Sequence, residues 1–218
     1  MTLSATVFDL DETLVDSATT WNRVFAAVAT RHGEPWTPAD WAAIQGKSTA
    51  HWGAHLASRC PGLTPESAVA ECVDGMIAAV RRGEFGLVPG AADLVATAVE
   101  LGPVALVSAS PRPYVEAAIT TFGLPFRTTV TGDDVAHGKP APDPYLLAAQ
   151  RLGLAPARCL AVEDSSSGIR SAHAAGMTVL AVPNPAAARD FAALGLAEHQ
   201  ATDASVAAKI VDGLLSRR

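Results

Sequence analysis

The chain has 218 residues, 49% of them apolar, and a formal net charge of −6, enough to bury one large core or a core with a smaller inserted unit. That charge excludes sequence-independent binding to nucleic acid or to an anionic membrane, which needs a concentrated basic surface that this sequence lacks. Cys60, Cys72 and Cys159 show neither CxxC nor zinc-finger spacing and read as reduced thiols. No basic-then-apolar leader precedes Asp9 and no apolar run nears the ~18 residues of a membrane span, so a soluble, cytoplasmic protein is expected.

The first element is an apolar strand, Val7, Phe8 and Leu10, inside ATVFDLDETLVDS at residues 5–17. It runs at once into Asp9, Asp11 and Glu12, with Asp16 close behind. Close carboxylates repel and raise one another's pKa. Taken alone, the turn either faces solvent or holds a cation, and oxygen ligands at a strand end suit Mg²⁺. Residues 18–32 then have helical spacing (Trp21, Val24, Phe25, Val28), stopped by Gly33 and Pro35. A strand-free, helical stretch continues through 41–44, 49–56 and 65–80, and all four tryptophans, Trp21, Trp36, Trp41 and Trp52, lie in it. It reads as a separate helical unit.

After Gly90 the pattern changes. Helices at 91–101, 111–122, 144–152 (Asp143 as N-cap), 167–175, 185–194 and 205–215 alternate with strands at 104–107, 128–131, 159–162 and 178–182. Such alternation implies βαβ units, a parallel sheet covered on both faces, and ligands at the carboxyl ends of the strands. The polar residues at those ends are Asp9 and Asp11, Ser108, and Glu163 with Asp164, all on one edge.

Together they suggest phosphoryl chemistry. Carboxylates from two strands make an oxygen site for Mg²⁺, while a Ser hydroxyl and a lysine hold phosphoryl oxygens. The lysine is Lys139, in a Pro-rich loop, where a solvated side chain is the alternative. Asp9 is then a nucleophile toward phosphorus, and Asp11 protonates the leaving oxygen and later activates water.

Phe8-Asp9-Leu10-Asp11-Glu12-Thr13-Leu14, LVSAS ending at Ser110, GKPAPDP from Gly138 and VEDSSSGI from Val162 resemble, in order and spacing, the four motifs of the haloacid dehalogenase superfamily. The helical insertion resembles that of its small-cap members, the β-phosphoglucomutase-like phosphatase branch. The resemblance implies a Rossmann-like parallel-sheet core, residues 1–14 and 89–218, with an inserted α-helical cap, residues 15–88. It implies catalytic Asp9 and Asp11, and Mg²⁺ held by Asp9, Asp164 and the Asp11 main-chain carbonyl, with Glu163 orienting metal waters or the lysine. Ser108, the Ala109 amide and Lys139 would bind the phosphoryl group. Glu12 stands where that family usually has glycine, a substitution strained if the position needs positive φ.

The expected activity is Mg²⁺-dependent hydrolysis of a small metabolite phosphate (sugar, polyol or glycolate phosphate) through an aspartyl-phosphate, by a monomer or weak dimer. The alternatives are a hexose-phosphate mutase, whose histidine about ten residues past the second Asp is here Trp21, and a phospho-accepting signalling or sugar-phosphate-binding module. In the cap, Lys47 is a candidate for a substrate anion beside a solvent-facing reading. Arg112 is a weaker one. His51 and His55 at i, i+4 lack a third zinc ligand, and Trp21 and Trp52 line either a pocket or a core.

Overall fold

The protein's structure, a computed structural model, describes residues 2–216; residues 1, 217 and 218, the outer limits of the expected core, lie outside it. Strands β1 (Ala5–Phe8), β2 (Val104–Val107), β3 (Thr128–Val130), β4 (Cys159–Glu163), β5 (Thr178–Ala181) and β6 (His199–Gln200) form one sheet in the order β3-β2-β1-β4-β5-β6, every neighbouring pair parallel. Between β1 and β2 come α1 (Ala18–Arg31), α2 (Pro38–Ile44), α3 (Thr49–Arg59), α4 (Pro65–Arg81) and α5 (Ala91–Leu101). Single crossovers follow: α6 (Arg112–Phe122), α7 (Asp143–Leu152), α8 (Ser166–Ala174) and α9 (Phe191–Leu194), then α10 (Ala204–Leu215).

The central strands β1, β2, β4 and β5 are mostly buried apolar runs because both faces are covered, whereas the edge strands β3 (TTV) and β6 (HQ) are polar and partly exposed. Phe8, Leu106, Val162 and Leu180 share a core with α5, α6 and α10, whereas the alternate residues Val7, Val107, Ala161 and Val179 share one with α7, α8 and α9. All strands being parallel, their carboxyl ends share one edge, and the order reverses between β1 and β4, where open α/β sheets bind ligands.

Helices α1 to α4 form an aromatic-centred insertion. Phe25 stacks on Trp21 (5.7 Å between centroids) and Trp36 (5.5 Å) and meets Trp52 edge-on (5.2 Å). Two chain segments join it to the sheet, paired as a short ribbon: Val15 bridges Leu87, Asp16 N donates to Gly86 O (3.0 Å) and Val88 N to Leu14 O (2.9 Å).

Several boundaries differ from the sequence reading. Helix α2 starts at Pro38, three residues before Trp41, because Thr37 and Asp40 form a capping box. The stretch 185–194 breaks into a 3₁₀ turn (Ala187–Arg189) and α9, since Asp190 turns aside to cap Ala193 N (3.0 Å) and pair with Arg170 (2.9 Å). Asp143 lies inside α7 rather than at its cap. The two-residue β6 is too short to carry a period. No helix among the described residues is long and apolar enough to cross a membrane.

Gly90 starts α5 at φ 85°, and a Cβ there would meet the Ser205 side chain and, at 2.9 Å, its amide nitrogen. Gly90→Ala is expected to lower the unfolding free energy by about 2 kcal/mol or more in urea denaturation; a loss below about 0.5 kcal/mol would contradict this packing.

Candidate active site

Register builds the site. Phe8 pairs with Val162, and Asp9 N donates to Val162 O at 3.0 Å, so Asp9 leaves β1 beside Glu163 and Asp164 at the end of β4. Asp9, Glu163 and Asp164 are buried, with ligand atoms within 4.8 Å of one another. Lys139 reaches in from the loop before α7. Its Nζ donates to Asp9 Oδ1 and Glu163 Oε1, both at 2.6 Å, and to Val107 O at 3.1 Å. The lysine side chain is 5% exposed and Glu163 fully buried.

Glu163 has no free acceptor position. Oε1 also accepts from the Tyr145 hydroxyl (2.6 Å), and Oε2 from Asp164 N (3.1 Å), Ser165 N (3.2 Å) and Ser165 Oγ (3.0 Å). Lys139 lies 5.3 Å from the Tyr145 ring centroid, a cation–π contact. Asp164 accepts from Thr13 Oγ1 (3.1 Å) and Asn184 Nδ2 (2.7 Å).

Three carboxylates face one ammonium, and the ionisation follows. Burial pushes Asp9 up to about 7, against the pull of Lys139. Burial, then Asp9 and Glu163, push Asp164 well above the usual carboxylate range. Burial alone would lower Lys139, but Asp9 and Glu163 outweigh it and hold the ammonium protonated. Ionising Asp9 and Asp164 together beside Glu163 would leave more negative charge than Lys139 can balance, which a hard divalent cation would neutralise.

Asp11 sits apart from this cluster. Oδ1 accepts from Ser17 Oγ (2.6 Å), Tyr114 OH (2.8 Å) and Trp21 Nε1 (3.3 Å), and Oδ2 from Ser110 Oγ (2.7 Å). Its carboxylate is therefore held between the start of the insertion (Ser17, Trp21) and the segment after β2 (Ser110, Tyr114).

Both groups line a cleft of about 520 Å³ between the sheet edge and the insertion. Asp9, Asp11, Lys139 and Asp164 line its sheet side, with Ala109 and Ser110; Trp21, Phe25, Trp41, Ile44, Lys47 and Trp52 line the other. Ser108 lies beneath this lining, buried, its Oγ accepting from Ser110 N at 3.0 Å. His51 and His55 tie α3 to α2, through Ala43 O (3.2 Å) and Asp40 Oδ1 (3.1 Å), and do not share a site. Arg112 turns away to Asp134 and Glu116. The three cysteines are free and buried.

Sequence reasoning missed Ser110, Tyr114, Tyr145, Thr13 and Asn184. The strand-end rule that selects Ser108 applies equally to Asn184, just past β5. Nothing in the sequence marks Tyr145, which acts only through the folded contact with Glu163.

Gly168 exists for that contact: a Cβ there would overlap the Glu163 carboxylate. Gly168→Ala is expected to cost about 3 kcal/mol of stability, because it expels a buried, paired carboxylate. Gly213→Ala, on an exposed face of α10 with open space around it, is expected to add about 0.5 kcal/mol. Equal effects of the two in chemical denaturation would contradict the crowding at Gly168.

A sequence profile of the haloacid dehalogenase-like hydrolases matches residues 3–176. The chain is 35% identical over 199 residues to protein CbbY of Rhodobacter capsulatus, covering 84% of this chain and 87% of that one. It is 38% identical over 184 residues to hexitol phosphatase A of Escherichia coli K12, covering 83% of each. A crystal structure of a CbbY variant from Rhodobacter sphaeroides, in complex with xylulose-(1,5)bisphosphate, superimposes with a TM-score of 0.83 at 27% identity over 93% of this chain and 95% of that one. The fold, the four motifs and these likenesses agree: the chain belongs to the haloacid dehalogenase-like hydrolases.

Proposed function

We propose that the protein is a Mg²⁺-dependent phosphomonoesterase acting on a small sugar or polyol phosphate through a phosphoryl group carried on Asp9. The observation that carries the reading is Lys139, dry and bonded at 2.6 Å to both Asp9 and Glu163 on the floor of the cleft. A lysine so placed holds the nucleophile's oxygen in position and offsets the repulsion between carboxylate and phosphate dianion.

Asp9 and Asp164 are the side chains proposed to hold Mg²⁺, with the Asp11 main-chain carbonyl. Glu163, with every acceptor position taken, is proposed to act by fixing Lys139. When bound, the ion neutralises phosphoryl oxygens. Asp9 attacks phosphorus; Asp11, on the insertion side of the nucleophile, protonates the departing ester oxygen and then takes a proton from the water that frees Asp9. Ala109 and Ser110 line the same cleft, and the Ala109 amide is proposed to hold a phosphoryl oxygen. Ser108, buried beneath them, is proposed to brace this loop through Ser110 N. Helices α1 to α4, residues 15–88, are proposed to act as the cap, with Lys47 facing the anionic end of the substrate.

Cleft size and lining favour a sugar or polyol chain. A cleft of about 520 Å³ walled by Trp21, Phe25, Trp41 and Trp52 suits a body with apolar C–H faces, and glycolate phosphate would leave most of it to water. The relatives named for hexitol phosphate hydrolysis and xylulose bisphosphate binding support the same class. The mutase alternative is disfavoured because Trp21, whose indole is a donor only, occupies the contact with Asp11 and has no proton-accepting nitrogen to relay with.

The test is release of inorganic phosphate from a panel of sugar, polyol and glycolate phosphates with Mg²⁺. Asp9→Asn is expected to lower kcat by more than about 10³-fold with the fold intact, and Asp11→Ala by about 10² to 10⁴-fold. Retention of more than a tenth of the activity by Asp9→Asn would overturn the nucleophile assignment. EDTA is expected to abolish release and added Mg²⁺ to restore it; activity indifferent to chelation would remove the metal role of Asp164.

A further inference from the structure

Glu12 has a left-handed backbone, φ 67°, the one non-glycine residue to do so among those described. In that conformation Cβ crowds the following carbonyl, and it persists only where the surroundings compensate. The compensation lies at the far end of the side chain. Glu12 Oε1 accepts from the amides of Ser17 (2.9 Å) and Ala18 (2.7 Å) and from the Ser17 hydroxyl (3.3 Å).

Those amides open α1. Ser17 is its N-cap residue but caps nothing with its own side chain, because its hydroxyl donates to Asp11 Oδ1 at 2.6 Å. A carboxylate from the preceding turn supplies the missing acceptor, at the helix end where negative charge is favourable. Between the two ends of this contact runs the ribbon joining insertion to sheet, and the Glu12 main chain is part of it, N donating to Val15 O at 2.8 Å. Glu12 thus has its backbone in the turn that carries Asp11 and its carboxylate on the first helix of the insertion.

Resting on the proposed role of Asp11, we infer that Glu12 is a positioning residue: a clamp that fixes α1 to the Asp11 turn and, through Ser17, sets the direction of the Asp11 carboxylate. The strained backbone is what lets one side chain span that connection. A glycine there would adopt the turn more easily and leave α1 uncapped.

Glu12→Gly removes the clamp while relieving the backbone, and Glu12→Gln keeps an amide oxygen as acceptor. The first readout is hydrogen exchange at the Ser17 and Ala18 amides by NMR, which needs no substrate. The second is kcat and KM on the best ester of the panel. Exchange at both amides is expected to rise about tenfold or more in Glu12→Gly and to stay within about threefold of wild type in Glu12→Gln. In the same variants kcat is expected to fall about tenfold for Gly, with KM changed less than about threefold, and to recover in Gln. Unchanged exchange in Glu12→Gly overturns the clamp. Faster exchange with unchanged kcat overturns the positioning of Asp11. A wild type that hydrolyses no ester counts against the proposed function, while the exchange readout still decides the clamp.

Discussion

Lys139 is held in a dry pocket by two carboxylates at 2.6 Å, with a third, Asp164, in the same cluster. Two like charges about 4 Å apart repel by roughly 4 kcal/mol at the effective dielectric of a protein, well above the ~1 kcal/mol of a surface ion pair such as Arg31 with Glu71. The lysine offsets part of that repulsion and cannot offset all of it. Much of the surrounding structure serves the same balance: Tyr145 and the Ser165 loop saturate Glu163, Gly168 leaves room for it, and Thr13 and Asn184 hold Asp164. The negative charge that ionised Asp9 and Asp164 would carry beyond Lys139 is the physical argument for the proposed divalent cation beside Asp9.

The second constraint is the direction of Asp11. Two of its donors, Ser17 and Trp21, belong to the start of the insertion, and two, Ser110 and Tyr114, to the segment after β2. Its carboxylate is therefore held between the two parts of the chain, and any movement of α1 changes its surroundings. The contact of Thr49 Oγ1, in the first turn of α3, with Ala109 O at 3.3 Å ties the two parts at a second point. Chemistry at the sheet edge and the seating of the insertion are thereby linked by geometry, with the paired segments Leu14–Asp16 and Gly86–Val88 as the connection.

Much of this was legible in the sequence because parallel sheets impose a rule: strand ends share an edge. Asp9, Glu163 and Asp164 follow from it once the strands are found, and Lys139 from its scarcity and its loop. The aromatic wall was only half legible, since Trp21 and Trp52 prove to be both core and lining. Tyr145 and Gly168 were out of reach, because their significance is a contact with Glu163 and not a pattern. Glu12 was visible as a departure from glycine, but its compensation depends on where the Ser17 and Ala18 amides end up. The rule places Ser108 at the edge but does not give its depth: Ser108 is buried and accepts from Ser110 N, while Ser110 is among the residues lining the cleft.

The most direct measurement is thermal unfolding with and without Mg²⁺ at pH 6 and pH 8, for wild type and Asp164→Asn. Burial raises Asp9 from 3.8 to about 7 in the folded, metal-free protein. That proton-linked stability is complete below about pH 4 and lost as pH rises through about 7, and a cation that replaces the proton stabilises more at the higher pH. A Mg²⁺-induced rise in Tm is expected, larger at pH 8 than at pH 6 and absent in Asp164→Asn. No rise at either pH, or an equal rise in the variant, would contradict the proposed cation site.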